Sequence, residues 1–121
     1  MDKNELIKIM NIQIFEVEDR GNGDFRVKVP LYWGEGWYAL YIDDDKDGYF
    51  SVHDGSVTLG QMARYNNTPW DEDFVKQINF RAERLGFKIV EDEVFIKKVK
   101  KEEIQITVLK LIQLISMVYS L

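Results

Sequence analysis

The spacing of apolar positions changes several times along the chain. Leu6, Ile7, Ile9 and Met10 follow Asp2-Lys3-Asn4-Glu5. Asp2 and Glu5 stand at capping-box spacing, so a short amphipathic helix is predicted there. Phe15-Glu16-Val17-Glu18 and Phe25-Arg26-Val27-Lys28-Val29 then alternate. A period of two is that of strands with one buried face. Gly21-Asn22-Gly23-Asp24 breaks the first from the second, and Pro30 predicts a strand end or a sheet edge.

Two aromatic arms come next. Tyr32-Trp33 and Trp37-Tyr38 flank Gly34-Glu35-Gly36, a hairpin signal with glycine at each shoulder. Trp37 to Ile42 and Tyr49 to His53 continue as strands, giving a meander. The period then becomes helical. Leu59, Met62 and Ala63 fit a short helix behind Thr58. Thr68-Pro69-Trp70-Asp71 opens a longer one through Phe74, Ile78, Ala82 and Leu85, and Gly86 supplies the stop. Phe87 to Val90 and Glu93 to Val99 form a second hairpin around Glu91-Asp92. A last helix runs from about Lys101 to the end. The whole predicts one α+β domain over residues 1–121. Its antiparallel sheet, a meander plus a second hairpin, is covered by helices in the order α-β-β-β-β-α-α-β-β-α.

Composition narrows the class. A chain of 121 residues with 45% hydrophobic positions can build one core without staples. It has no cysteine, which removes disulfides and thiolate chemistry. No signal peptide is visible, and Lys110 and Gln113 interrupt the apolar run from Ile104 to Leu121. A cytoplasmic protein is expected. Its 16 Lys and Arg stand against 21 Asp and Glu, and of the acids only Glu102 and Glu103 follow Lys97. Such a surface disfavours nucleic acid and suits a basic protein partner. Moderate net charge also simply keeps a small domain in solution.

The most suggestive chemistry lies in Tyr41 to Gly55. Asp43, Asp45, Asp47, Gly48 and Asp54 fall at the spacing of a calcium loop. The flanks disagree. Trp37 to Ile42 has the β-rich composition of a strand, and helix signals resume only at Thr58. A five-residue acidic hairpin connection, Asp44 to Gly48, is therefore preferred to a calcium cage. His53 next to Asp54 lacks an evident nucleophile, so no catalytic residues are assigned. Trp33, Glu35 and Trp37 at the aromatic turn, with Asp43, Asp44, Asp45 and Asp47, are the candidate partner-binding residues. The last helix is apolar nearly all round. Either it crosses the core or Leu111, Leu114, Ile115 and Val118 meet a second copy or a partner.

"GYFSVHDGSVTLGQMARYN" resembles a strand, Asp-Gly, Thr-x-Leu helix pattern found in an uncharacterised domain family of phages and prophages. "LGFKIVEDEVFIKKV" with "VLKLIQLISMVYSL" is similar to that family's closing hairpin and Leu-Ile-Gln helix. The resemblance implies a mobile-element origin and carries no catalytic residues. The element order also resembles, more loosely, that of type III secretion chaperones, which implies a dimer holding a client segment. The expectation is a non-enzymatic protein-binding module, acting through acidic and aromatic surface on a host complex such as a CRISPR effector.

Overall fold

The computed structural model describes residues 1–10, 16–33, 36–59 and 72–119, and within them all side chains but those of Tyr32 and Trp33. Helix α1 (Lys3–Met10) leads to strands β1 (Glu16–Gly21), β2 (Asp24–Trp33), β3 (Gly36–Lys46) and β4 (Tyr49–His53). Residues 57–59 are helical. Helix α2 (Glu72–Arg84), strands β5 (Lys88–Val90) and β6 (Glu93–Lys100) and helix α3 (Ile104–Tyr119) complete the chain, with a 3-10 turn (Lys101–Glu103) opening α3. Phe15, Met62, Ala63, Thr68 and Trp70 lie outside the described residues.

The strands form one antiparallel sheet in the order β1-β2-β3-β4-β6-β5. The fold is α+β, as the alternation predicted. The second hairpin does not stand apart but joins the meander at β4, with Val52 opposite Ile96 and His53 opposite Phe95. β2 runs through Pro30 to Trp33, and its pairing with β3 shifts between Lys28 and Tyr32. A proline without an N–H is accommodated at such an irregularity.

Three hairpins close in the same way. Asn22-Gly23, Asp47-Gly48 and Glu91-Asp92 each place two residues between paired strand ends. All six have positive φ, from 50° to 81°, the pattern of the turn that matches strand twist. The expected five-residue acidic connection is thus a two-residue turn. The reason is a bulge: Asp44 pairs with Phe50 and Lys46 with Tyr49, leaving Asp45 extra.

One face of the sheet builds the core. Phe25, Val27 and Val29 of β2, Leu40 and Ile42 of β3, and Val52 of β4 are wholly buried. Against them α3 packs Ile104, Val108, Leu111, Leu114, Ile115 and Val118 at helical spacing. Fully burying one such side chain contributes about 1.5–3 kcal/mol. Leu111, Leu114, Ile115 and Val118 are therefore interior residues and not an outward interface. A six-stranded sheet flanked by α1 and α2 is wide enough to cover this helix within one chain. Its outward positions include Ile106, Leu109 and Lys110.

Helix ends are closed as their sequences require. Asp2 accepts the Glu5 N–H at 2.8 Å. At the end of α2, the Phe87 N–H reaches the Ala82 carbonyl at 2.8 Å and the Gly86 N–H reaches Glu83 at 3.0 Å. With Gly86 at φ 89° this is a Schellman motif. Glu5 also pairs with Lys101, joining α1 to the start of α3. Its carboxyl is held below the usual range by the lysine's hydrogen bond. The stabilisation is present above the ordinary carboxylate pKa and lost as pH falls through the lowered one.

The end of α3 is tied to β3 through the hydrogen-bonded hydroxyls of Tyr38 and Tyr119. Their rings meet edge to face with centroids 6.1 Å apart. Burial pushes both phenols above the usual tyrosine range. A raised pKa in the folded state means that stability is constant below pH about 10 and falls as pH rises beyond it. In denaturant titrations at increasing pH, Tyr119→Phe is expected to reduce that alkaline fall. An identical slope in both proteins would refute the coupling.

A candidate partner-binding surface on the open face of the sheet

Alternation along β3 puts Trp37, Ala39, Tyr41, Asp43 and Asp45 on one face and the buried Tyr38, Leu40 and Ile42 on the other. The described helices pack on the buried side. Trp37 is 47% exposed and Tyr49, at the start of β4, 39% exposed. Among the described residues, then, the opposite face is open.

A layered stack occupies its centre. The Arg20 guanidinium lies 5.1 Å from the Tyr41 ring centre. Tyr41 lies 5.1 Å from His53, with the rings 9° from parallel. His53 Nε2 is 2.7 Å from Asp43 Oδ2, and the Gly55 N–H donates to His53 Nδ1 at 3.1 Å. Accepting at Nδ1 assigns the proton to Nε2, which donates it to Asp43. Both ring nitrogens are used, so no lone pair faces a substrate. The imidazole here joins β3, β4 and the turn behind β4. That turn needs glycine: Gly55 has φ 64°, and a Cβ on it would lie 2.5 Å from Tyr41 Cε2.

The hairpin ends beside this stack are acidic and braced. Asp19 accepts the Gly21 N–H at 2.9 Å ahead of Asn22-Gly23. Asp44 accepts the Lys46 N–H at 2.7 Å ahead of Asp47-Gly48. The same side-chain device thus shapes both bulged turns. The turns are also joined, because Asp24 accepts the Asp44 N–H at 2.9 Å. The Ser51 hydroxyl donates to Asp45.

Charge is distributed unevenly over this face. On β1 and β2, Glu16 pairs with Lys28 at 2.9 Å and Glu18 with Arg26 at 3.5 Å. The Lys28 hydrogen bond holds the Glu16 carboxyl below its usual range. Asp24, Asp44, Asp45 and Asp47 have no cationic partner among the described residues. The hydrogen bonds of Asp24, Asp44 and Asp45 go to N–H and hydroxyl groups, and in the run Asp43 to Asp47 four carboxylates stand against the single Lys46, so the corner carries net negative charge.

Asp54 has a separate role. It is wholly buried. Oδ1 accepts the N–H groups of Ser56 and Val94, each at 3.0 Å, and Oδ2 accepts that of Thr58 at 3.1 Å. The Asp54 N–H in turn donates to the Val94 carbonyl at 3.2 Å. One carboxylate therefore caps the helical residues 57–59 and pins the start of β6.

The sequence candidates divide accordingly. Asp43 and Asp45 share a strand face with Trp37, while Asp44 and Asp47 sit at the adjoining turn. Trp33 pairs opposite Gly36, but its side chain lies outside the described residues, as does Glu35. The four calcium candidates do not converge. Asp54 points inward to main-chain donors, and Asp43 is held by His53. Among the described residues no three His, Asp or Glu side chains form a metal cage. Asp43 and Asp45 stay on the strand face, Asp47 sits in the turn beyond the bulge and Asp54 lies in the interior behind β4, so the four are carried to different places. Sequence reasoning missed Tyr41, Arg20, Asp24 and Ser51. Counting back from Asp47-Gly48 pairs Tyr41 with His53 only once the bulge at Asp45 is allowed for. Among the described residues no helix is long and apolar enough to cross a membrane. No family model matches the chain, nor does any curated protein or solved structure.

Proposed function

We propose that the chain is a protein-binding module that engages a basic surface of a partner through the open face of its sheet. The observation that carries this is the acidic corner of Asp24, Asp44, Asp45 and Asp47, unpaired among the described residues and set on braced turns, with an exposed Trp37 at the opposite end of β3. Fixed like charges steer a basic partner, and an exposed tryptophan anchors it. Preformed turns lose little conformational freedom on binding. The resemblance to phage and prophage domains supports a host protein as that partner. A defence complex whose surface normally holds nucleic acid has the required positive field, so inhibition of such a complex is the proposed outcome.

The test uses substitutions that keep the turns. Asp47→Asn retains a turn residue suited to positive φ, and Asp45→Asn retains an acceptor for Ser51. The doubly neutralised protein should melt like the parent. It should lose most capture of basic host proteins from a bacterial lysate, as should Trp37→Ala. Each exposed charge contributes modestly, so affinity should fall roughly tenfold for the pair, mostly through slower association. Capture unchanged in both variants would overturn the proposal.

A further inference from the structure

Helix α2 carries a second stripe beside the one it buries. Phe74, Ile78 and Ala82 face the core. Gln77, Phe80, Arg81 and Arg84 recur at spacings of three and four, so they share the neighbouring face. That face borders α3. Between the helices lies an open groove of about 510 Å³, lined also by Leu85, Gln113 and Met117.

The groove combines features that rarely coincide on a solvated surface. Phe80 is 60% exposed, the most of any large hydrophobic residue described. The Arg84 guanidinium lies 5.6 Å from its ring centre. Arg81 Nη1 lies 3.9 Å from Met117 Sδ. Neither arginine has a carboxylate partner among the described residues. Guanidinium groups resting on apolar side chains keep several N–H donors for a ligand and are weakly hydrated. Arginine next to an exposed aromatic is also the composition of interface anchors.

We propose that this groove docks a short acidic segment of a partner protein. One apolar side chain of the segment lies against Phe80 and Met117, and its carboxylates meet Arg81 and Arg84. Charge complementarity selects this occupant. A polyphosphate chain would find two cations here and then Glu72, Asp73 and Glu83 on the same helix, within a protein of net charge −5. A peptide with two carboxylates spaced about an apolar residue carries less charge and meets less of that repulsion, while its apolar side chain gains contact with Phe80 and Met117. The site has the opposite sign to the acidic corner of the sheet and is independent of it. A chain with both surfaces would join a basic and an acidic partner segment.

Fluorescence anisotropy of the intact protein tests this, using a pool of labelled short peptides with Asp or Glu around a central Leu, Phe or Met. Saturable binding that weakens with added salt is expected. Arg81→Glu and Arg84→Glu should each reduce affinity tenfold or more, and Phe80→Ser should do the same with unchanged melting. Asp45→Asn with Asp47→Asn should leave it unaltered, which separates this site from the sheet surface. No binding by any member of the pool, or binding indifferent to the three groove substitutions, would overturn the proposal. So would tighter binding of a single-stranded oligonucleotide or of anionic vesicles at the same residues. Self-association abolished by Arg81→Glu would likewise overturn it, in favour of a second copy.

Discussion

Replacing Asp54 by alanine is expected to destabilise the protein by about 3–5 kcal/mol, a large part of the stability of a domain this size. The carboxylate is wholly buried and accepts three main-chain N–H groups. Removing it leaves those donors without acceptors in the interior, and each unsatisfied donor costs about 1–3 kcal/mol. The effects do not simply add, because the backbone relaxes. Asp54→Asn separates the contributions. Its oxygen can still accept from Ser56 and Val94, but its NH2 group then faces the Thr58 N–H. A loss of about half that of the alanine variant is expected. Urea denaturation of the three proteins decides the matter. A loss below about 1 kcal/mol for the alanine variant would show that water replaces the carboxylate and that Asp54 is not the hub described.

Leu111→Ala is expected to cost about 2–5 kcal/mol, lowering the melting temperature by about 10 °C. Leu111 is wholly buried within the single chain, with Leu114, Ile115 and Val118 on the same stripe. The substitution removes apolar contact and leaves a cavity under the sheet. The effect should be the same at dilute and at high protein concentration. If the helix met a second copy instead, the loss would shrink on dilution, since mass action links dimer stability to concentration. Melting curves across a wide concentration range therefore distinguish a core residue from an interface residue. A concentration-dependent shift would return α3 to the surface.

The two predictions concern residues whose types were legible and whose roles were not. Asp54 stood out in the sequence as the last position of a calcium-like spacing. Its neighbour Gly55 marked a turn between sheet and helix. That it turns inward depends on Val94, which lies 40 positions away and is brought to it by β6. Likewise the apolar helix announced that it was buried, while its cover could be a sheet or another chain. Periodicity reports that a face is covered and carries no information on what covers it.

The sequence by itself determined the local elements and most of their ends. Alternation marked the strands, the Phe74, Ile78 and Ala82 spacing marked α2, and Gly86 ended it, because each signal is made by neighbours within a few residues. Gly21 to Asp24 and Asp44 to Gly48 marked two turns through local backbone preference, although the second closes over two residues and not the expected five. Only the tertiary structure decided that β6 joins β4 and that one bulge sets His53 opposite Tyr41. It alone also put the paired charges of β1 and β2 beside an acidic corner with none. These depend on strand register, which a single extra residue shifts and no local preference specifies. The Phe80 and Arg81 groove belongs with them. Its residues are ordinary on one helix and acquire meaning only when α3 supplies Met117 and Gln113 across the gap.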